Sequence, residues 1–198
     1  MRVSFLPLAL VLAGCGGDSP PPPPPPPPLL TSIALPVVDF PVYAKAPTTL
    51  CLTDPTCAKI GYVTQSVYGR IAGTVSFSYY ITETGSPTYQ YKLNPDNTCE
   101  NPANVRLFFQ SAGGDRWWSN PVAGVLGPGS NVMTAALTGD KWSNVSGQFG
   151  TAVPAQFSAA MSYVGAMGVT FGGGCFFGHG VNISGGSSRF TAQSYAIR

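Results

Sequence analysis

From Ile71 to Ile81 apolar and polar positions alternate. Ile71, Gly73, Val75, Phe77, Tyr79 and Ile81 share one parity, and Thr74, Ser76 and Ser78 share the other. A two-residue period sends successive side chains to opposite faces, so this stretch predicts a strand with one face buried. Tyr62 to Thr84, which contains it, reads as one long strand or two consecutive ones. Gly85-Ser86-Pro87 then predicts a turn, Tyr89 to Leu93 a return strand, and Asn94-Pro95-Asp96-Asn97 a second turn.

Further strands follow from the same reasoning. Val105 to Gln110 is a dense apolar run ending before Gly113-Gly114. Arg116 to Ala123, Val132 to Leu137, Met167 to Phe171, Gly180 to Ile183 and Arg189 to Ile197 complete the set. Leu35 to Tyr43 predicts a first strand. Pro36 and Pro41 interrupt it, and because proline has no N–H to give a ladder, that strand belongs at a sheet edge.

One segment changes period. Phe157, Ala160, Met161 and Val164 fall at i, i+3, i+4 and i+7, with Pro154 near the start and Gly165 after the end. That spacing lines one helical face and predicts a short amphipathic helix packed on the strands. No period of longer range is present. Many short strands separated by turn residues at roughly 8–12-residue spacing predict an all-β fold. Its form is a two-sheet antiparallel β-sandwich, a jelly roll, with one short helix.

The N-terminus follows a different pattern. Met1-Arg2 is a minimal positive region, and Val3 to Leu12 is apolar apart from Ser4. This run is too short to span a bilayer, which takes about 20 residues. Leu12-Ala13-Gly14-Cys15 follows and resembles the lipobox of bacterial lipoproteins. The resemblance implies cleavage before Cys15, diacylation of its thiol and acylation of the new amino group. One acyl chain holds a protein marginally, and further chains make the anchor stable. Residue 16 is Gly rather than Asp, so an Asp-type inner-membrane retention signal is absent and the outer membrane is favoured. Pro20 to Pro28 is an unbroken proline run, which predicts a stiff polyproline II spacer of roughly 28 Å. The expected organisation is a signal peptide over 1–14, a lipidated cysteine and spacer over 15–28, and a β-sandwich domain over 29–198. Its expected location is the bacterial envelope, with the domain in the periplasm or at the cell surface.

Charge narrows the partners. Charged residues are 9% of the chain, against roughly 25% in ordinary domains. Without a basic face for phosphates, nucleic acid is not an expected partner. A surface of Ser, Thr, Asn, Gln, Gly and Tyr suits neutral hydroxylated ligands and equally suits a structural secreted protein. With Cys15 lipidated, Cys51, Cys57, Cys99 and Cys175 remain. An even count in an exported chain reads as two disulfides. Of three connectivities, Cys51–Cys57 and Cys99–Cys175 is preferred. The short loop contributes about 2 kcal/mol and the long one about 4 kcal/mol by loop-closure entropy. A four-thiolate zinc site is the alternative, but no C-x-x-C pair is present.

All three tryptophans lie in two short segments, Arg116-Trp117-Trp118-Ser119-Asn120 and Trp142-Ser143-Asn144. Sugars stack C–H faces on aromatic rings, while amides and guanidinium groups satisfy their hydroxyls. On a strand Trp117 and Trp118 point to opposite faces, so at most one is a platform. The competing expectation is that one fills the core and the other covers a sheet edge. A second candidate is the glycine-rich stretch from Thr170 to Gly180, with Phe176 and Phe177 as an aromatic lip or a disulfide cover and His179 as the sole histidine. It lacks the Gly-Lys-Ser/Thr of a phosphate loop. One histidine does not make a metal site, and no Gly-x-Ser-x-Gly elbow is present. The acids are scattered through turns, without a visible glycosidase pair. No catalytic residue, metal or cofactor is assigned. The expected ligand-binding residues are Arg116, Trp117, Trp118, Asn120, Trp142 and His179.

From Gly73 onward the chain resembles a family of uncharacterised bacterial lipoproteins and exported domains. The residues that carry this are Arg106-Leu107-Phe108-Phe109-Gln110, Arg116 to Asn120, Lys141-Trp142-Ser143-Asn144-Val145 and the glycine-rich Thr170 to Gly186 segment. The layout is similar to galactose-binding-like and carbohydrate-binding-module jelly rolls over about two thirds of the chain. The resemblance implies a sandwich fold and a non-catalytic carbohydrate-binding module. The alternative expectation is a structural or protein-interaction lipoprotein without a sugar site.

Overall fold

The computed structural model describes residues 24–43, 58–91, 102–173 and 177–198. The leader, Cys15, Pro20 to Pro23, the Asn94–Asn97 turn and the positions of Cys51, Cys57, Cys99 and Cys175 lie outside them.

Among the described residues ten strands and one α-helix follow in chain order: β1 Val38–Asp39, β2 Tyr62–Gly69, β3 Thr74–Tyr91, β4 Asn104–Ser111, β5 Arg116–Ser119, β6 Gly124–Val125, β7 Gly129–Ala136, β8 Trp142–Asn144, α1 Pro154–Ser162, β9 Val164–Gly172 and β10 Val181–Ile197. One sheet has the order β1-β10-β3-β7. The other runs β2-β9-β4-β5-β8, with β6 pairing β4. Every strand pair is antiparallel. Early strands pair with late ones in a nested series: β1 with β10, β2 with β9, β3 with β7 and β4 with β5. Successive nested pairs alternate between the sheets, which is how a chain rolled up as one long ribbon builds a jelly roll. The predicted two-sheet antiparallel sandwich is the fold.

The alternation in β3 does what its period requires. Val75, Phe77, Tyr79 and Ile81 are fully buried and face Leu107, Phe109, Val169 and Phe171 of the opposite sheet within one core. Tyr195 on β10 reaches across the layers, and its hydroxyl donates to the Gly168 carbonyl at 3.3 Å. Burying rings and β-branched side chains at this density is the main stabilising term of a sandwich.

Several boundaries differ from the sequence reading. Tyr62 to Thr84 is two strands in different sheets, β2 and β3. Gly85-Ser86-Pro87 is not a turn: β3 runs through it to Tyr91, and the ladder with β10 absorbs a register shift between Ser184 and Gly186. Gly180 to Ile183 and Arg189 to Ile197 are correspondingly parts of one long β10. The first strand shrinks to Val38–Asp39 between its two prolines and lies at an edge. Helix α1 buries Phe157 and Ala160 but ends at Ser162, because Val164 enters the β9 ladder opposite Gly69 and Ser111. The proline run joins the strands at its last residue, where the Pro28 carbonyl accepts from Arg70 N at 2.8 Å.

Candidate functional site

Strand β4 explains the site. Its sequence, Asn-Val-Arg-Leu-Phe-Phe-Gln-Ser, is apolar on both parities apart from its ends and Arg106. A strand with one wet face alternates, whereas this one is buried on both sides. Val105, Leu107 and Phe109 point into the core. Asn104, Arg106 and Phe108 point to the outer face of the larger sheet and are also buried.

The registers place neighbours around them. Arg106 lies opposite Thr170, which lies opposite Tyr62. Phe108 lies between Gly168 and Trp118, and Trp118 faces Ser143 on β8. The rings form a continuous layer, with Tyr62 on Phe108 at 5.2 Å and Phe108 on Trp118 at 5.5 Å between centroids. Phe177 lies over this layer. Its centroid is 6.4 Å from that of Trp118 and 3.9 Å from the Arg106 guanidinium carbon. The cover fits closely because residue 178 is glycine. Gly178 has φ +73°, and a Cβ there would fall 2.6 Å from Cζ of Tyr62.

At the edge of this cover is a cleft of about 150 Å³. Tyr62, Arg116, Trp118, Asn144, Phe177 and His179 contribute to its wall. Arg116 and His179 are exposed, whereas Trp118 is 3% exposed. The Arg116 guanidinium stands 5.8 Å from the Trp118 ring, within cation–π range. Asn144 is committed to its own turn: its Oδ1 accepts from Ser146 N and Gln148 N, both at 3.0 Å. The cleft wall thus combines a phenol, an imidazole, a guanidinium and aromatic edges.

The structure brings Arg116, Trp118 and His179 together and separates the other predicted ligand residues from them. Trp117 and Trp142 are fully buried in the sandwich core. Trp117 packs edge-on against Phe157 of α1 at 4.8 Å, and Trp142 packs on Phe109 at 5.1 Å. The Trp142 indole N–H donates to Ala136 O at 2.8 Å, so even its polar atom is internal. The physical reason is parity: Trp117 alternates with Trp118 and faces inward, while the Ser119–Trp142 pairing turns Trp142 to the same inner side. Neither presents a stacking face to a ligand. Asn120 donates from Nδ2 to Ser143 Oγ at 3.1 Å and lines a different pocket. Tyr62 was not among the expected residues; it lies on a strand remote in sequence, and nothing local marks it.

The second pocket, of about 380 Å³, lies between the 102–106 and 120–126 segments. Arg106 forms its floor. Arg106 is 4% exposed and donates from Nη1 to Ser119 O at 2.7 Å, while its Nε is buried without a partner. Burial pushes its pKa down to about 10, because desolvation disfavours the charged form. Among the described residues no group of three or more His, Cys, Asp or Glu side chains is placed to hold a metal, and no helix is long and apolar enough to cross a membrane.

Compared with known proteins, the chain matches no family model, no curated protein and no solved structure.

Proposed function

We propose that this chain is a non-catalytic, lipid-anchored protein of the bacterial cell envelope whose jelly roll binds a neutral glycan at the cleft beside Trp118. The observation that carries the reading is the grouping of Tyr62, Arg116, Trp118 and His179 around one open cleft on the outer face of the larger sheet. Such a mix of ring edges and hydrogen-bonding groups is the chemistry of sugar recognition. The cleft of about 150 Å³ is smaller than pockets that enclose a free ligand, at about 300–1,000 Å³. It therefore suits one residue or edge of a longer chain. The lipobox-like Leu12 to Cys15 and the proline spacer support display at a membrane surface, with the domain held off the lipid.

A second reading is favoured by a specific observation. All three tryptophans are buried, as expected of a structural or protein-interaction lipoprotein whose tryptophans serve packing alone.

Two measurements test the proposal. Metabolic labelling with a palmitate analogue should tag the wild type and not Cys15→Ser. The Cys15→Ser form, purified as a soluble protein, should sediment with at least one insoluble neutral polysaccharide. Retention on none, with the fold intact by circular dichroism, would replace the glycan reading with the structural one.

A further inference from the structure

We infer that the pocket floored by Arg106 is a second binding site, separate from the Trp118 cleft, and that it takes a small hydroxylated carboxylate such as a sugar acid. Four acidic side chains lie among the described residues, and each is engaged elsewhere. Asp39 pairs with Arg189 at 2.6 Å and Asp140 with Lys141 at 2.6 Å. Glu83 accepts from the Tyr89 hydroxyl at 2.5 Å, and Asp115 accepts from Gln156 at 3.3 Å. Arg106 forms no ion pair among the described residues. Its contacts are the carbonyls of Ser119 at 2.7 Å and Val122 at 3.5 Å and the face of Phe177.

Among the described residues no anion neutralises this buried guanidinium, whose Nε is without a partner, and the planar fork of arginine matches a carboxylate in two hydrogen bonds. The rest of the wall defines the ligand further. Asn104 donates one Nδ2 hydrogen to Pro102 O at 3.0 Å, and Asn120 donates one to Ser143 Oγ at 3.1 Å. An amide with one N–H so used still has a second N–H donor as well as its oxygen acceptor, a pairing that suits ligand hydroxyls. Pro121, Ala123 and Leu126 supply apolar surface for a compact body. The volume of about 380 Å³ lies in the range of small-molecule sites. Phe177 stands between the two sites, over Arg106 on one side and in the wall of the Trp118 cleft on the other.

The test is calorimetric titration of the soluble Cys15→Ser chain with sodium glucuronate, with glucose as the neutral control and a glucuronate-terminated disaccharide as a second ligand. Glucuronate should bind at least about tenfold more tightly than glucose, a difference of one charge-assisted contact. Binding of the disaccharide as tightly as glucuronate identifies a chain end as the source of the acid; binding of glucuronate alone identifies the free acid. Ala123→Trp fills the pocket from its exposed wall without touching the guanidinium. It should weaken glucuronate binding about tenfold or more and leave the melting temperature unchanged. Arg106→Gln, where it folds, should abolish the preference for the acid. Equal binding of glucuronate and glucose by the wild type, or undiminished glucuronate binding by Ala123→Trp, overturns the inference.

Discussion

The Arg106 guanidinium carbon lies 3.9 Å from the centre of the Phe177 ring. This contact ties the 177–180 segment to the middle of β4 and roofs the outer face of the larger sheet. Phe177→Ala removes a cation–π pair and part of a ring's burial, which together cost about 1–3 kcal/mol. Urea unfolding should show that loss. Tryptophan emission should also shift to the red, because Trp118 gains water while Trp117 and Trp142 do not. An unshifted spectrum would mean that Phe177 does not shield Trp118.

The two tryptophans of the core, Trp117 and Trp142, should both be costly to change. Trp117 fills the core, and Trp117→Ala is expected to cost about 3–5 kcal/mol as a cavity. Trp142→Phe keeps most of the volume but strands the Ala136 carbonyl that its indole serves. Its cost should be about 1–3 kcal/mol. Chemical denaturation of the two variants beside Arg116→Ala, whose side chain is exposed, checks the ranking; Arg116→Ala should unfold as the wild type does.

Gly168 on β9 lies opposite both Thr64 of β2 and Phe108 of β4. A Cβ there would collide with the Val63 carbonyl oxygen. Gly168→Ala should separate β2 from β9, with a stability loss of about 1–3 kcal/mol from overpacking. Hydrogen exchange should locate the damage at amides of β2. Uniform protection in the variant would contradict this placement.

Alkaline pH should destabilise the fold. Burial raises the Tyr79, Tyr89 and Tyr195 hydroxyls above their ordinary value of 10, with the Glu83 carboxylate adding to the shift at Tyr89. The folded state therefore holds three protons that the unfolded chain releases. That stabilisation is complete below pH 10 and is lost as pH rises beyond it. Arg106 acts in the opposite direction, since its folded pKa of about 10 lies below its unfolded value and the penalty of its buried charge fades above pH 10. Three groups outweigh one, so the melting temperature should fall between about pH 9 and pH 11. A flat or rising profile would contradict the burial of these hydroxyls.

Much of the sandwich is legible in the chain because β3 has one covered face, and period-2 alternation encodes that directly in Val75 to Ile81. The dense run of β4 is legible in the same way as a strand covered on both sides. Longer-range facts are not. The bulge that carries β3 past Gly85 is set by pairing with Ser184 and Gly186, a hundred residues away. The early stop of α1 is set by the claim of β9 on Val164. At the site, parity correctly divides Trp117 from Trp118, but the inward face of Trp142 depends on its pairing with Ser119. Tyr62 and Arg106 become site residues only because β2, β9 and β4 lie side by side.

The most direct test of the central claim is a glycan array probed with the soluble wild-type chain, Arg116→Ala and His179→Ala, each matched to wild type in melting temperature. The account predicts that the wild type binds neutral glycans and that both variants lose the same signals. Binding that survives both substitutions would move the site away from the Trp118 cleft, and no binding by the wild type would contradict glycan recognition altogether.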